Sequence, residues 1–123
     1  MIQFDNFTPE AGVPIYLQVV RHIQRGIAAG EVADGDEVPS RRMLSALLGV
    51  NPNTVQKAYA LLEEEGLMVS RTGAKSVMSL TEEQISHVRQ QLLEGDVAAV
   101  VTNLKQMGLS KEEALALIER SWE

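Results

Sequence analysis

"VNPNTVQKAYALLEEEGL", from Val50 to Leu67, is the stretch whose reading decides the fold. Its first half is polar and short in its side chains; its second half is apolar and runs into Gly66. Asn51 is suited to cap a helix, and Pro52 to occupy the first helical position, where a missing N–H costs nothing. Val55, Ala58, Tyr59 and Leu62 then recur on one helical face. Such a helix anchors its later turns in a core and turns its N-terminus outward.

The chain around it supplies a context. Upstream, "PIYLQVVRHIQRGIAAGEV" carries Ile15, Val19, Ile23 and Ile27 at four-residue spacing, widened by Tyr16 and Val20, with Pro14 suited to the first turn and Gly30 as the stop. "ADGDEVPS" reads as a loop. Ser40 caps a short second helix whose apolar face is Met43, Leu44, Leu47 and Leu48 and which ends at Gly49. Downstream of Gly66, "LMVS" and "SVMSL" read as two short strands around "RTGAK". The second and third helices are separated only by a tight turn, so the pair is a helix-turn-helix, and the hairpin makes it a winged helix.

In that arrangement the start of the third helix faces the major groove. Asn51, Asn53, Thr54, Gln56 and Lys57 stand there, with side chains suited to bases and phosphates. Arg41 and Arg42 open the second helix behind Ser40, where a positive charge opposes the helix dipole and a nearby phosphate would relieve it. Arg71 and Lys75 flank the hairpin tip, where a wing meets backbone or minor groove. Glu63, Glu64 and Glu65 lie further along the third helix, away from its docking end. Taken singly, polar helix starts are usually caps and paired arginines are usually solvated; the order of elements shifts the balance toward double-stranded DNA.

The formal net charge of −6 over 123 residues does not contradict this. Residues 81–123 hold four basic and eight acidic side chains, so the part before them is close to balanced. Hydrophobic residues make up 45% and aromatics only 4%, so the core is built from Leu, Val, Ile, Ala and Met. There are no cysteines, hence no disulfide framework and no thiolate metal site. "MIQFDNFTPE" lacks a signal-peptide pattern, and no apolar run approaches the ~20 residues that span a bilayer. The expectation is a soluble, cytoplasmic protein. His22 and His87 show no ligand-like spacing and no phosphate-binding glycine motif occurs, so neither an enzyme, a metal site nor a cofactor is expected. His22 is expected on the surface or edge of the first helix, and Tyr59 in the core with its hydroxyl at the rim. The N-terminal "MIQFDNF" reads as a loose arm, or as a segment whose Phe4 and Phe7 pack across a dimer.

The stretch from Pro14 to Val77 resembles the DNA-binding domain of GntR-family bacterial transcription regulators. The residues that carry the likeness are Pro14-x-Tyr16, Gly30, Gly35, Val38-Pro39-Ser40-x-Arg42, Val50, Thr54-Val55 and Glu63-x-x-Gly66-Leu67. "VNPNTVQKAY" with a short helical tail is similar to the YtrA-like branch in particular. The resemblance implies a homodimeric winged-helix repressor on a palindromic operator, often of its own transporter-linked operon. It implies DNA contacts from Arg42, Asn51, Asn53 and Thr54, and from Thr72 and Gly73 at the wing tip. Gln56 stands where many members have arginine, Arg41 replaces a frequent glutamate, and Lys75 and Val77 replace a common glycine and a common aromatic. These departures bear on the wing's contacts and on the operator sequence.

After residue 80, "TEEQ" at Thr81–Gln84 and Ser110 with Glu113 are capping boxes, and Asp96 is a further cap. They predict three short helices, with stripes at Ile85, Val88 and Leu92, at Val97, Val100, Val101 and Leu104, and at Leu115, Ile118 and Trp122. The last two stripes are covered either within the chain or by a second copy. The expected architecture is thus mainly α with a small β-hairpin: a winged helix-turn-helix over residues 1–80, including the arm, then a helical dimerisation tail over 81–123. The competing reading is a winged helix that binds protein instead of DNA. Whether a small-molecule effector exists is not legible.

Overall fold

The computed structural model describes residues 1–71 and 75–123. Five helices and three short strands follow in the order α1 (Ile15–Ala28), β1 (Glu37–Val38), α2 (Arg41–Leu48), α3 (Pro52–Glu64), β2 (Met68–Arg71), β3 (Lys75–Met78), α4 (Glu82–Gln106), α5 (Lys111–Ser121). The fold is a mainly α winged helix-turn-helix with C-terminal helices, as the element order in the sequence implies.

Two compact units divide the chain, Met1–Arg89 and Gln90–Glu123. The expected boundary at residue 80/81 differs from this division, because the first turns of α4 belong to the first unit. Val88 is buried there. Gln84 Nε2 donates to the Gly66 carbonyl at 3.0 Å, and Arg89 donates to the Ala28 carbonyl at 2.7 Å. That last bond sets a cation on the C-terminal end of α1, where the helix dipole favours it.

In the first unit, the stripe of α1 is the core it was expected to be. Val19, Val20, Ile23 and Ile27 are buried, as are Leu44 of α2 and Val55, Ala58, Tyr59 and Leu62 of α3, and α1 and α2 each pack against α3. Burying a Val, Leu or Ile side chain is worth about 1.5–3 kcal/mol each, so this cluster is the main apolar term holding the three helices together. Gln18, also buried, closes the entry to α1: it accepts from Glu10 N–H at 2.8 Å and donates to the Glu10 and Val13 carbonyls at 3.0 and 2.8 Å. Pro14 sits at the N-cap, one residue before the first turn.

"ADGDEVPS" is more than a loop. Glu37–Val38 form β1 and pair antiparallel with β3, giving sheet order β1-β3-β2. Met78 N–H donates to the Asp36 carbonyl at 2.9 Å and Gly35 N–H to the Met78 carbonyl at 2.9 Å, so the pairing extends past the two strand residues. The hairpin of β2 and β3 is in register with Met68 opposite Met78 and Arg71 opposite Lys75. The N-terminal segment is not loose and makes its contacts within the chain. Ile2 and Phe4 are buried, Ile2 N–H donates to the Glu37 carbonyl at 3.1 Å, and the Phe4 ring stacks on His22 with centroids 4.4 Å apart. Phe7 meets the same imidazole edge-on at 5.6 Å, and His22 Nε2 lies 2.7 Å from the Gln3 carbonyl.

In the second unit, α4 continues through Gly95 and Asp96 to Gln106, where two helices with an Asp96 cap were expected. A helical glycine costs about 1 kcal/mol against alanine, which is too little to break a helix flanked on both sides by strong formers. The capping boxes at Thr81/Gln84 and Ser110/Glu113 are both formed. Val97, Val100, Val101, Leu115, Ile118 and Trp122 are exposed within the chain, Trp122 at 86%, and Leu104 is half-buried. An apolar groove of about 350 Å³ lies between the end of α4 and α5, lined by Val101, Leu104, Leu109, Ala114, Leu115 and Ile118 among others. Among the described residues, no helix is long and apolar enough to cross a membrane.

Candidate nucleic-acid interface

The turn between α2 and α3 is built by three local devices. Gly49 ends α2 in the left-handed region (φ 67°), a conformation that disfavours any side chain with a Cβ. Val50 N–H then donates to the Ser45 carbonyl, and Ser45 Oγ, itself buried, donates back to the Val50 carbonyl. Asn51 Oδ1 accepts from Asn53 N–H at 2.8 Å, capping α3 with Pro52 at its first turn. At the front of α2, Ser40 Oγ accepts from Met43 N–H at 3.0 Å.

These caps leave the start of α3 outward. Asn51, Asn53, Gln56 and Lys57 are exposed and Thr54 is half-exposed, while Val55, Ala58, Tyr59 and Leu62 are buried on the other side. Asn51 spends its carbonyl oxygen on the cap and keeps its amide N–H groups for a partner. The Lys57 ammonium lies 4.1 Å from the Tyr16 ring centroid, a cation–π contact with α1 that the sequence does not announce.

The cations around this tip fall into two groups. Arg42 on α2 and Arg71 at the end of β2 are exposed and make no ion pair among the described residues. Arg41 and Lys75 are engaged. Arg41 lies 5.7 Å over the Tyr59 ring, with Nη2 3.5 Å from Glu63 Oε1, and Lys75 Nζ is 3.5 Å from Glu37 Oε1. Thr72 and Gly73, expected at the wing tip, lie outside the described residues.

Three expectations about this face are corrected. Met43 and Leu47 are 51% and 62% exposed, so the apolar face of α2 that reaches the core is narrower than its sequence stripe and centres on Leu44 and Ser45. Glu63 is not remote from the cationic edge: it meets Arg41 and accepts from Ser70 Oγ of β2 at 2.9 Å. The Tyr59 hydroxyl is inside, not at the rim; it donates to the Pro39 carbonyl at 2.7 Å, and burial pushes the phenol's ionisation far up against the opposing charge of Arg41. Sequence spacing could not have found the Arg41–Glu63 or Lys57–Tyr16 contacts, since each joins two elements that are distant along the chain.

The arrangement is one exposed helical N-terminus with amide and hydroxyl side chains, exposed guanidinium groups on α2 and at the end of β2 that make no ion pair among the described residues, and a two-stranded wing. A helix N-terminus attracts phosphate through its free N–H groups, and its amide side chains can read base edges. Comparison with known proteins agrees with this geometry. The model of the family described as bacterial regulatory proteins, gntR family, matches residues 15–77. The HTH-type transcriptional repressor YtrA of Bacillus subtilis (strain 168) is 32% identical over 120 residues, covering 98% of this chain and 85% of that protein. A GntR family transcriptional regulator from Listeria monocytogenes superposes with TM-score 0.81 at 28% identity, over 91% of this chain and 98% of the other. The structure of AraR(DBD) in complex with operator ORR3 superposes with TM-score 0.51 at 27% identity, over 59% of this chain and 88% of that one.

Proposed function

Because the chain belongs to the GntR family of bacterial regulatory proteins, as a YtrA-like transcriptional regulator and not an enzyme, we propose that it is a cytoplasmic homodimeric repressor of its own, transporter-linked operon. It binds a palindromic operator with α3 in the major groove and the β2–β3 wing on the adjacent backbone or minor groove. The observation that carries this reading is the outward N-terminus of α3, with Asn51, Asn53 and Gln56 exposed, together with an exposed Arg42 on α2 that makes no ion pair among the described residues. Arg42, Arg71, Lys57 and Lys75 supply phosphate contacts, joined by Arg41 and Ser40 at the front of α2. Asn53, Thr54 and Gln56 supply base contacts, with Thr72 and Gly73 at the wing tip.

The second unit holds the two protomers together. Its exposed apolar set of Val97, Val100, Val101, Leu115, Ile118 and Trp122, with Leu104 beside them, finds too little cover in its own 34-residue unit, and a two-fold partner would cover it while pairing two recognition helices with two half-sites. The relative with operator DNA in its structure supports the DNA half of the reading, and the repressor among the relatives supports its sign.

The test is selection from random duplexes with the purified full chain, followed by a salt titration. A two-fold symmetric consensus is expected, with affinity falling roughly 10³–10⁵-fold between about 50 and 200 mM salt if six to ten phosphates are contacted. No enrichment, and no salt-sensitive shift, would favour a winged helix that docks on protein.

A further inference from the structure

Arg41 occupies a place that does not satisfy it. Nη2 stands 3.5 Å from a single Glu63 oxygen, longer than the ~2.7–2.9 Å of a charge-assisted hydrogen bond. Its Nε has lost contact with solvent and has no hydrogen-bond partner among the described residues, and an orphaned buried donor is a cost that any better partner removes. Glu63, in contrast, keeps a shorter bond of its own, accepting from Ser70 Oγ at 2.9 Å. One carboxylate thus faces the first residue of α2 and the first strand of the wing.

We infer that Glu63 is a positioning residue of the DNA face: its carboxylate stands in for a DNA phosphate, parks Arg41 over Tyr59 in the free protein, and gives it up when the backbone arrives. A phosphate can take a guanidinium through two parallel N–H groups, Nε–H included, which the single long contact to Glu63 does not achieve. The exchange does not strand Glu63, because Ser70 still donates to it and the carboxylate is partly exposed. Free protein and DNA complex therefore compete for the same cation, and Glu63 sets how much of the Arg41 contact appears as affinity. The inference rests on the operator-binding reading above.

The experiment is fluorescence anisotropy of the full chain on the duplex recovered by selection and on an unrelated duplex. The variants are Glu63→Gln, Arg41→Ala, the double variant of these two, Arg41→Lys, and Glu64→Gln, an exposed acid one residue on that serves as the control for lost negative charge. Gln at 63 keeps the size of the side chain and an acceptor for Ser70. Glu63→Gln is expected to tighten both duplexes about threefold, the scale of a partly exposed ion pair, and the gain is expected to vanish when Arg41 is absent. Arg41→Lys, which keeps the charge but not the fork, is expected to bind more weakly than wild type. A Glu63→Gln gain no larger than that of Glu64→Gln, or one that survives Arg41→Ala, overturns the inference while leaving operator binding intact. A wild-type chain that shifts no duplex at any salt overturns both.

Discussion

The Tyr59 hydroxyl of α3 donates to the main-chain carbonyl of Pro39, two residues before α2, at 2.7 Å inside the core. This bond ties α3 to the segment that launches its neighbour. Burial keeps the phenol protonated far above its ordinary range, so it remains a donor at every working pH. Tyr59→Phe preserves the ring and strands the Pro39 carbonyl. It is expected to cost about 1–3 kcal/mol in urea unfolding with an unchanged m-value.

Gly26 is required by what faces it. A Cβ there would meet Val32 Cγ2 at 2.5 Å, and Val32 is buried and β-branched, so it has little freedom to move aside. Gly26→Ala is therefore expected to lower stability by roughly 1–2 kcal/mol despite alanine's better helix propensity. Adding Val32→Ala to that variant should recover part of the loss in thermal denaturation, since the clashing methyl is then gone.

Arg42 separates binding from folding. It is exposed and forms no ion pair among the described residues, so Arg42→Ala should leave the melting temperature within about a degree of wild type. Operator affinity should fall, and the slope of log affinity against log salt should become shallower by about one. Asn53→Ala should instead change the consensus recovered by selection, with little change in that slope.

Oligomeric state tests the second unit. With Val101 and Trp122 on an uncovered apolar face, the wild-type chain is expected to sediment as a dimer, and Val101→Asp to shift it to monomer at micromolar concentrations. The melting temperature of the wild type should then rise with protein concentration, and that of the variant should not.

Glu113 gives a pH prediction with a definite sign. It accepts from the Ser110 N–H at 3.0 Å, and this bond, with the one it shares with the Ser110 side chain, holds its carboxyl below the ordinary value of 4.5. A depressed acid stabilises the folded form above its unfolded value, and the contribution is lost as pH falls through the lower folded value. Carboxyl NMR of Glu113 should therefore titrate below 4.5 in the wild type and move back toward 4.5 in Ser110→Ala. The first turn of α5 should fray on acidification over the same window.

What the sequence disclosed was local. Ser40, Gly49, Asn51–Pro52, Thr81–Gln84 and Ser110–Glu113 all punctuate helices as their chemistry suggests, because a cap is decided within a turn of chain. The stripe of α1 and the buried half of α3 were equally plain, since their period survives any packing. The strand β1 was not, because two residues carry no period and exist as a strand only through β3. Nor was the continuity of α4, where a glycine and an aspartate imitate a break that helix propensity is strong enough to bridge. At the candidate interface, which side chains point outward was legible; which of the cations are already engaged, as Arg41 and Lys75 are, depended on elements brought together only by folding.

The reciprocal bonding of Ser45 and Val50 across the Gly49 turn has a consequence for how an operator is met. The angle between α2 and α3 is fixed when the chain folds, so its entropic cost is already met before any duplex approaches. On the operator proposed above, a mismatch in groove width would then be absorbed by side-chain rotamers or by deformation of the duplex itself, and stiff sequences that cannot deform would be rejected without a single base being touched.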